Sequence, residues 1–383
     1  MRRRRVVLGA LAALLAVPVA GAAAKTRSAP PLVPLTGAGA CVSLDQVRGC
    51  AHGRGFTDPT NGSVLSNDGR TLYVPSVNEP LLGVVSVDPA SGRLSQPPGA
   101  AGCLASSEGD FSSAGAAAQD CARVPGVMPG NAAGVAVSPD DRFVYLLSAP
   151  QSSHDSTRGV AIAAFARSAD GSLTPVGGAG GCLSTLASAQ CSVATLGTLG
   201  VSISPDGRFV YVGGHPLVVL ARDAATGTLT PAGTFAPPSG EGLFAPAFTH
   251  DGRLAFARGV TLSVSKPDSV FSLTRNVASG MPAVAACATL GRRTGCTHDA
   301  RLGPFVRGIA PSPDGRRVFV SATPNGYRIP PPSGTPFSLA AFGVNPSTGA
   351  LAPAGCLSST TRTGCTRETR LGAVSALALS PHG

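Results

Sequence analysis

A short turn recurs along the chain and limits what it can fold into. It runs Ser66–Gly69, Ser138–Asp141, Ser204–Gly207, Thr249–Gly252, Ser312–Gly315 and Ser380–Gly383, with "SPDG" as its commonest form. Proline sets φ at about −65°, aspartate caps the turn through its side chain, and glycine takes the positive φ. An apolar stretch such as Val201–Ile203 precedes each turn, and a β-rich one such as Phe209–Val212 follows most of them. The motif predicts a hairpin, and turn chemistry accounts for its aspartates without a catalytic role.

A second turn follows later in each unit, as in Asp88–Gly92, Ala169–Gly171, Asp223–Gly227 and Asn345–Gly349, each before a Leu-containing strand. One unit therefore reads strand A, SPDG turn, strand B, loop, strand C, glycine turn, strand D. Four antiparallel strands per repeat make one blade of a β-propeller. The turns ending at 69, 141, 207, 252, 315 and 383 are separated by 72, 66, 45, 63 and 68 residues. The 45-residue interval matches one ordinary blade of about 40 to 50 residues and is the only one without a cysteine pair. In the other four, a cysteine segment is expected between strand D and the next strand A.

The stretch "ISPDGRFVYVGG", with "ATGTLTPAG" after it, resembles the secreted lactonase-like β-propellers with YVTN/SPDG-type repeats. That resemblance implies an all-β propeller over most of residues 33–383. It also implies a scaffold shared with enzymes named 6-phosphogluconolactonase or muconate-cyclising. The repeat consists of turn and core residues, so no catalytic residue carries over. Such propellers commonly have seven blades, whereas five are recognisable here with an incomplete sixth. The sixth has its apolar strand Val374–Leu379 and turn, without strands B and C. Val33–Gly39 resembles a strand D and is expected to serve the same blade, in an open or truncated ring with exposed strand edges.

Ten cysteines fall into five local pairs: Cys41 with Cys50, Cys103 with Cys121, Cys182 with Cys191, Cys287 with Cys296, and Cys356 with Cys365. An even count in an exported chain predicts disulfides, and one pair per junction makes local pairing the simplest scheme. Structural zinc prefers C-x2–4-C spacing and four ligands. Most of these pairs enclose eight residues, so neither a metal nor a cofactor is expected.

Export itself is read from the N-terminus. Arg2–Arg5 form a basic region, Val6–Val19 an apolar core of fourteen residues, and Ala22–Ala24 a cleavage site. Residues 1–24 thus read as a signal peptide and 25–32 as a flexible Pro-rich segment. A secreted, extracellular or cell-envelope location follows, with no membrane span. The net charge of +10 becomes +6 without the signal arginines. The excess reflects arginine-rich composition, and an exported chain does not meet nucleic acid.

Antiparallel alternation puts the D–A connections and the B–C loops on one propeller face, where binding groups are usually carried. Its candidate ligand-binding residues are His52, Arg123, His154, His215, His298, Arg301, Arg307, Arg367 and Arg370. His52, Arg123, Val193, His298 and Arg367 occupy one repeated slot, two residues after the second cysteine. A ring of guanidinium groups suits phosphate or carboxylate. The expectation is a binding or scaffold protein whose partner is an anionic small molecule or cell-envelope polymer. The alternative is a 6-phosphogluconolactonase-like lactone hydrolase, which needs a base to activate water and a cation for the oxyanion. No P-loop, nucleophile elbow, calcium loop or H-E-x-x-H motif is present. Thiol titration of the denatured exported protein is expected to find no free cysteine; ten free thiols would overturn the disulfide scheme.

Overall fold

Strand B of each unit is apolar at nearly every position, as strands covered on both faces are. In a computed structural model, Phe143–Ala149 is buried along its whole length. Phe143, Tyr145 and Leu147 pack against Val210, Val212 and Val218 of the next unit. Val144 and Leu146 point the other way, onto Tyr73, Leu82 and Val84 of the preceding one. The core is thus a series of apolar layers between blades, each strand B feeding two of them. The structure describes residues 35–37, 39–44, 47–57, 62–76, 79, 81–107, 118–124, 131–149, 159–187, 190–261, 266–324, 337–372, 374 and 376–379. The expected signal peptide, the segment 25–32 and His154 lie outside the described residues.

Five antiparallel blades follow the predicted order. Blade 3 is the plain form: Val201–Ile203, Phe209–Val212, Leu217–Arg222 and Leu229–Phe235 pair in sequence. Blades 4 and 5 carry Leu254–Val260, Ser269–Arg275 and Pro282–Thr289, and Phe305–Pro311, Arg317–Thr323, Ser338–Val344 and Leu351–Ser358. In blades 1 and 2 strand D is broken into Leu94–Ser95 with Cys103–Ser106, and Leu173–Pro175 with Cys182–Ser184. Among the described residues no helix is long and apolar enough to cross a membrane.

The cysteine segments refine the sequence expectation. They do not simply link one blade to the next, because the first cysteine belongs to strand D itself. The disulfide then folds the chain back as a fifth strand parallel to D: Ala122–Val124, Ser192–Val193, Thr297–His298 and Thr366–Arg367. Blade 3, without cysteines, has no such strand. All five local pairs are bonded as expected: Cys41 to Cys50, Cys103 to Cys121, Cys182 to Cys191, Cys287 to Cys296, and Cys356 to Cys365. No free cysteine remains, so Cys121, Cys296 and Cys365 each close the staple from which a fifth strand departs. Five disulfides suit an oxidising, non-cytoplasmic compartment.

Two segments occupy slots of a sixth blade. Val42–Ser43 pairs in parallel with Ala51–His52 across Cys41–Cys50, as strands D and five do elsewhere. Gly39 O accepts from Leu94 N at 2.7 Å, matching Gly180 O and Leu229 N at 2.9 Å. At the other end, a Cβ on Gly308 would meet Leu377 N at 2.9 Å, just as one on Gly134 would meet Val201 N at 3.2 Å. Residues 376–379 thus lie where strand A of the next blade belongs.

The SPDG turns behave as their chemistry requires. Ser204 Oγ donates to Asp206 Oδ1 at 2.6 Å and Gly207 adopts φ 68°. Asp141 takes the glycine position at φ 57°, and its carboxylate accepts from the Asn67 and Asp68 backbone N–H groups of blade 1 at 2.8 Å. Here an aspartate exchanges backbone ease for a bond across the blade interface.

A larger cross-blade motif recurs. Tyr145 donates to Gly227 O of blade 3 at 2.9 Å and accepts from Arg222 Nε at 2.9 Å. Arg222 also reaches both oxygens of Asp140 at 3.0 and 2.8 Å and Gly207 O at 3.0 Å. Tyr211, Arg275, Asp206 and Gly280 repeat this between blades 3 and 4. Tyr73, Arg167, Asp68 and Gly171 repeat it between blades 1 and 2. Between blades 4 and 5 the tyrosine is replaced by Phe256 and the arginine by Val344, which share one apolar cluster. The polar pair and the apolar pair change together, because either partner alone would leave a buried group unsatisfied.

Burial pushes all three tyrosines up to about 12, although the guanidiniums oppose it. Burial also tends to raise Asp68, Asp140 and Asp206. Bonds from the turn serine, the backbone and the arginine outweigh that and hold them below 3.8, with Asp68 at about 2.

Arg275→Val alone is expected to cost about 3 kcal/mol and Tyr211→Phe alone about 2 kcal/mol. The double variant, measured by denaturant unfolding, should lose less than their sum by about 1 kcal/mol or more. Strict additivity would show that the pair is not coupled. Lowered carboxyl values stabilise the fold above pH 3.8, and this contribution is lost as pH falls toward 2. The thermal midpoint should therefore drop across that window, and less steeply for Asp68→Asn.

Candidate functional site

The fifth strands show how the loop face is laid out. His52 stands opposite Ser43, Arg123 opposite Ala105, Val193 opposite Ser184, His298 opposite Thr289 and Arg367 opposite Ser358. The repeated slot read from the sequence is therefore one structural position. It lies on the strand added outside D, the outermost wherever a cysteine pair is present. These five side chains are exposed and belong to different blades. The structure spaces them along the rim.

Several other candidates are occupied with the protein's own groups. Arg301 forms a two-pronged pair with Asp299, Nε to Oδ1 at 2.8 Å and Nη2 to Oδ2 at 2.6 Å. Arg307 stands at a bulge between Val306 and Gly308, and its Nε donates to Thr323 Oγ1 at 3.3 Å. His215 is exposed on the B–C loop of blade 3, whose Gly214 exchanges two backbone bonds with Leu243. Arg370 is exposed beside Glu368, whose Oε1 accepts the Arg370 N–H at 3.0 Å. Loop arginines Arg293 and Arg362 turn inward, donating to Pro267 O and Leu302 O.

Blade 4 brings together charges outside the nine candidates taken from the sequence. Asp268 Oδ2 accepts from Arg258 Nε at 2.8 Å and from the Val306 N–H of blade 5 at 2.9 Å. Burial raises its carboxyl against the pull of Arg258, Val306 and Arg307. With 5% of its surface exposed and two donors on one oxygen, Asp268 pins blade 4 to blade 5 rather than activating water.

Beside it lies a concavity of about 340 Å³ lined by Ser239, Thr261, Lys266, Arg292, Arg293 and Thr294, among others. Three separate segments build it: the link from blade 3, the approach to strand C, and the cysteine loop. Glu241, fully buried, pairs with Arg293 and accepts from Ser239 Oγ at 2.9 Å. The buried carboxylate balances one of the three cations. Lys266 and Arg292 are exposed, and among the described residues neither has an acidic partner. Two unmatched cations beside hydroxyl groups form an arrangement for holding an anion. Rarity was the available signal: Lys266 is one of two lysines and Glu241 one of four glutamates in the chain. Among the described residues no group of three His, Cys, Asp or Glu converges as a metal site would require.

No family model and no curated protein matches the chain. Among solved structures, the periplasmic gluconolactonase of Pseudomonas aeruginosa is similar at 18% identity and a TM-score of 0.49, over 78% of this chain and 72% of that one. A putative 6-phosphogluconolactonase from Bacteroides uniformis is similar at 14% identity and 0.47, over 76% and 68%. The Cps50 (Swd1) β-propeller domain of Myceliophteria thermophila is similar at 12% and 0.41, over 79% and 73%. The likeness is one of fold.

Proposed function

We propose that the chain is an exported, disulfide-stapled binding protein that holds an anionic ligand in the blade 4 concavity. The observation that carries this reading is the pair Lys266 and Arg292, unmatched by acid among the described residues, beside a third cation that Glu241 already balances. A cavity of about 340 Å³ suits a small phosphorylated or carboxylated molecule, or the end of an anionic envelope polymer. Lysine supplies a point charge and arginine a planar fork, and together they fit an oxyanion approached from solvent.

Lactone hydrolysis is less well supported. It needs a base in reach of water, and Asp268 is buried and already bonded to two donors. Of the four described histidines, His52, His215 and His298 stand exposed in different blades, and His250 is exposed in the Thr249–Gly252 turn.

Calorimetric titration with 6-phosphogluconate at low salt is expected to show saturable binding that weakens as salt rises. Lys266→Glu with Arg292→Glu should weaken it at least tenfold while leaving thermal stability unchanged, since both side chains are exposed. Equal binding by the double variant would sink the site. Turnover of an aldonolactone that disappears with a histidine-to-alanine change would favour hydrolysis instead.

A further inference from the structure

A second cavity, in blade 2, is explained by comparing two repeats of the same chain. In blade 1 the break in strand D between Leu94–Ser95 and Cys103–Ser106 is filled by the Arg54 side chain, which is 14% exposed. Arg54 Nη2 donates to Pro97 O at 3.0 Å and Gly99 O at 3.2 Å, and Nη1 to Gln119 O at 3.4 Å. Asp120 stands 3.8 Å from Nη1. Blade 1 thus contains a slot of backbone carbonyls occupied by a guanidinium.

Blade 2 repeats the slot. Its strand D breaks between Leu173–Pro175 and Cys182–Ser184, with the same number of residues between leucine and cysteine. Gly178 has φ 77° where Gly99 has φ 59°. A Cβ on Gly181 would lie 2.0 Å from Val176 O, as one on Gly102 would lie 2.2 Å from Pro97 O. The carbonyl three residues after the leucine meets the same glycine in both loops, so Val176 O and Gly178 O correspond to the two carbonyls that Arg54 binds, although blade 1 closes the loop as a 3-10 turn at Gly99–Gly102 and blade 2 places Gly180 at φ 86°. The arginine has no counterpart in sequence. Counting from the second cysteine, "CAHGR" ends on Arg54, whereas "CARVP" ends on Pro125. Among the described residues, the corresponding place in blade 2 is a cavity of about 500 Å³ lined by Val176, Gly177, Gly178, Gly181, Gln190 and Cys191, among others.

We propose that this cavity is a guanidinium site that receives an arginine side chain from a partner polypeptide. In blade 1 both carbonyls accept from one guanidinium nitrogen while the planar fork carries the other nitrogen to a third acceptor, a reach that the compact, strongly hydrated ammonium of lysine lacks. Gln190 precedes its cysteine as Asp120 does, giving a neutral acceptor in place of a carboxylate. A single arginine is therefore held weakly, and useful affinity comes from the rest of the partner. The site lies in a different blade from the anion concavity, and its fate does not depend on that reading.

The test is titration of isotope-labelled full-length protein with N-acetyl-arginine methylamide, following backbone amide resonances. Saturable shifts are expected at Gly177, Gly178, Gly181 and Gln190, at least fivefold weaker with the lysine analogue. Gly177→Phe should abolish them without altering the thermal midpoint, because a Cβ there meets nothing within 4 Å and its φ is not positive. Free guanidinium should compete. Absence of shifts at these amides, equal response to the lysine analogue, or unchanged binding by Gly177→Phe would each overturn the proposal.

Discussion

The Tyr–Arg–Asp bridge between successive blades is the interaction on which the rest of the structure depends. Apolar layers alone would let one blade slide on the next, because dispersion contacts are individually weak and not directional. The Tyr145 hydroxyl both donates and accepts, and the five N–H groups of Arg222 are shared between the tyrosine, the Asp140 turn and a carbonyl. That set of directional bonds fixes the rotation of blade 3 on blade 2. It also couples two hairpin turns distant in sequence to one guanidinium whose side chain is 1% exposed. The same logic explains Gly227, where a side chain would collide with Phe143 as well as strain a φ of 77°.

The stapled strands serve a second purpose at the opposite ends of the blades. By adding a strand outside D, each disulfide extends the blade outward and displaces its loop toward the rim. Conversion of such a loop into part of a site needs a second element close by. Blade 4 shows this for charged groups: Glu241 from the preceding link holds Arg293 of the cysteine loop, and Lys266 lines the same concavity. The homologous Arg362 of blade 5 donates instead to Leu302 O, a carbonyl with no net charge. One buried carboxylate therefore separates a loop held by an ion pair from one held by a bond to a neutral carbonyl.

Much of the fold was legible because its signals are local. A serine, an aspartate and a glycine within four residues specify a hairpin whatever lies beyond it, and the cysteine spacing specified the staples. The slot shared by His52, Arg123, His298 and Arg367 could also be read, since the register of a stapled strand follows from the staple. The distance of that slot from the centre could not be read. It depends on strand D carrying the first cysteine, so that the returning chain falls outside the sheet. The Tyr–Arg pairs escaped for a similar reason: Tyr211 and Arg275 are 64 residues apart, and no local pattern joins them.

The sequence by itself determined the blade, the turns, the staples and an excess of positive charge, because each depends on residues close together along the chain. Tertiary structure alone decided which charges are neutralised and which face solvent. Asp268 was drawn into a blade junction, Glu241 into a buried pair, and Arg54 into a slot of carbonyls, while Lys266 and Arg292 were left exposed along one concavity. Charge pairing depends on distance through space, and in a propeller that distance is set by the docking of one blade on the next.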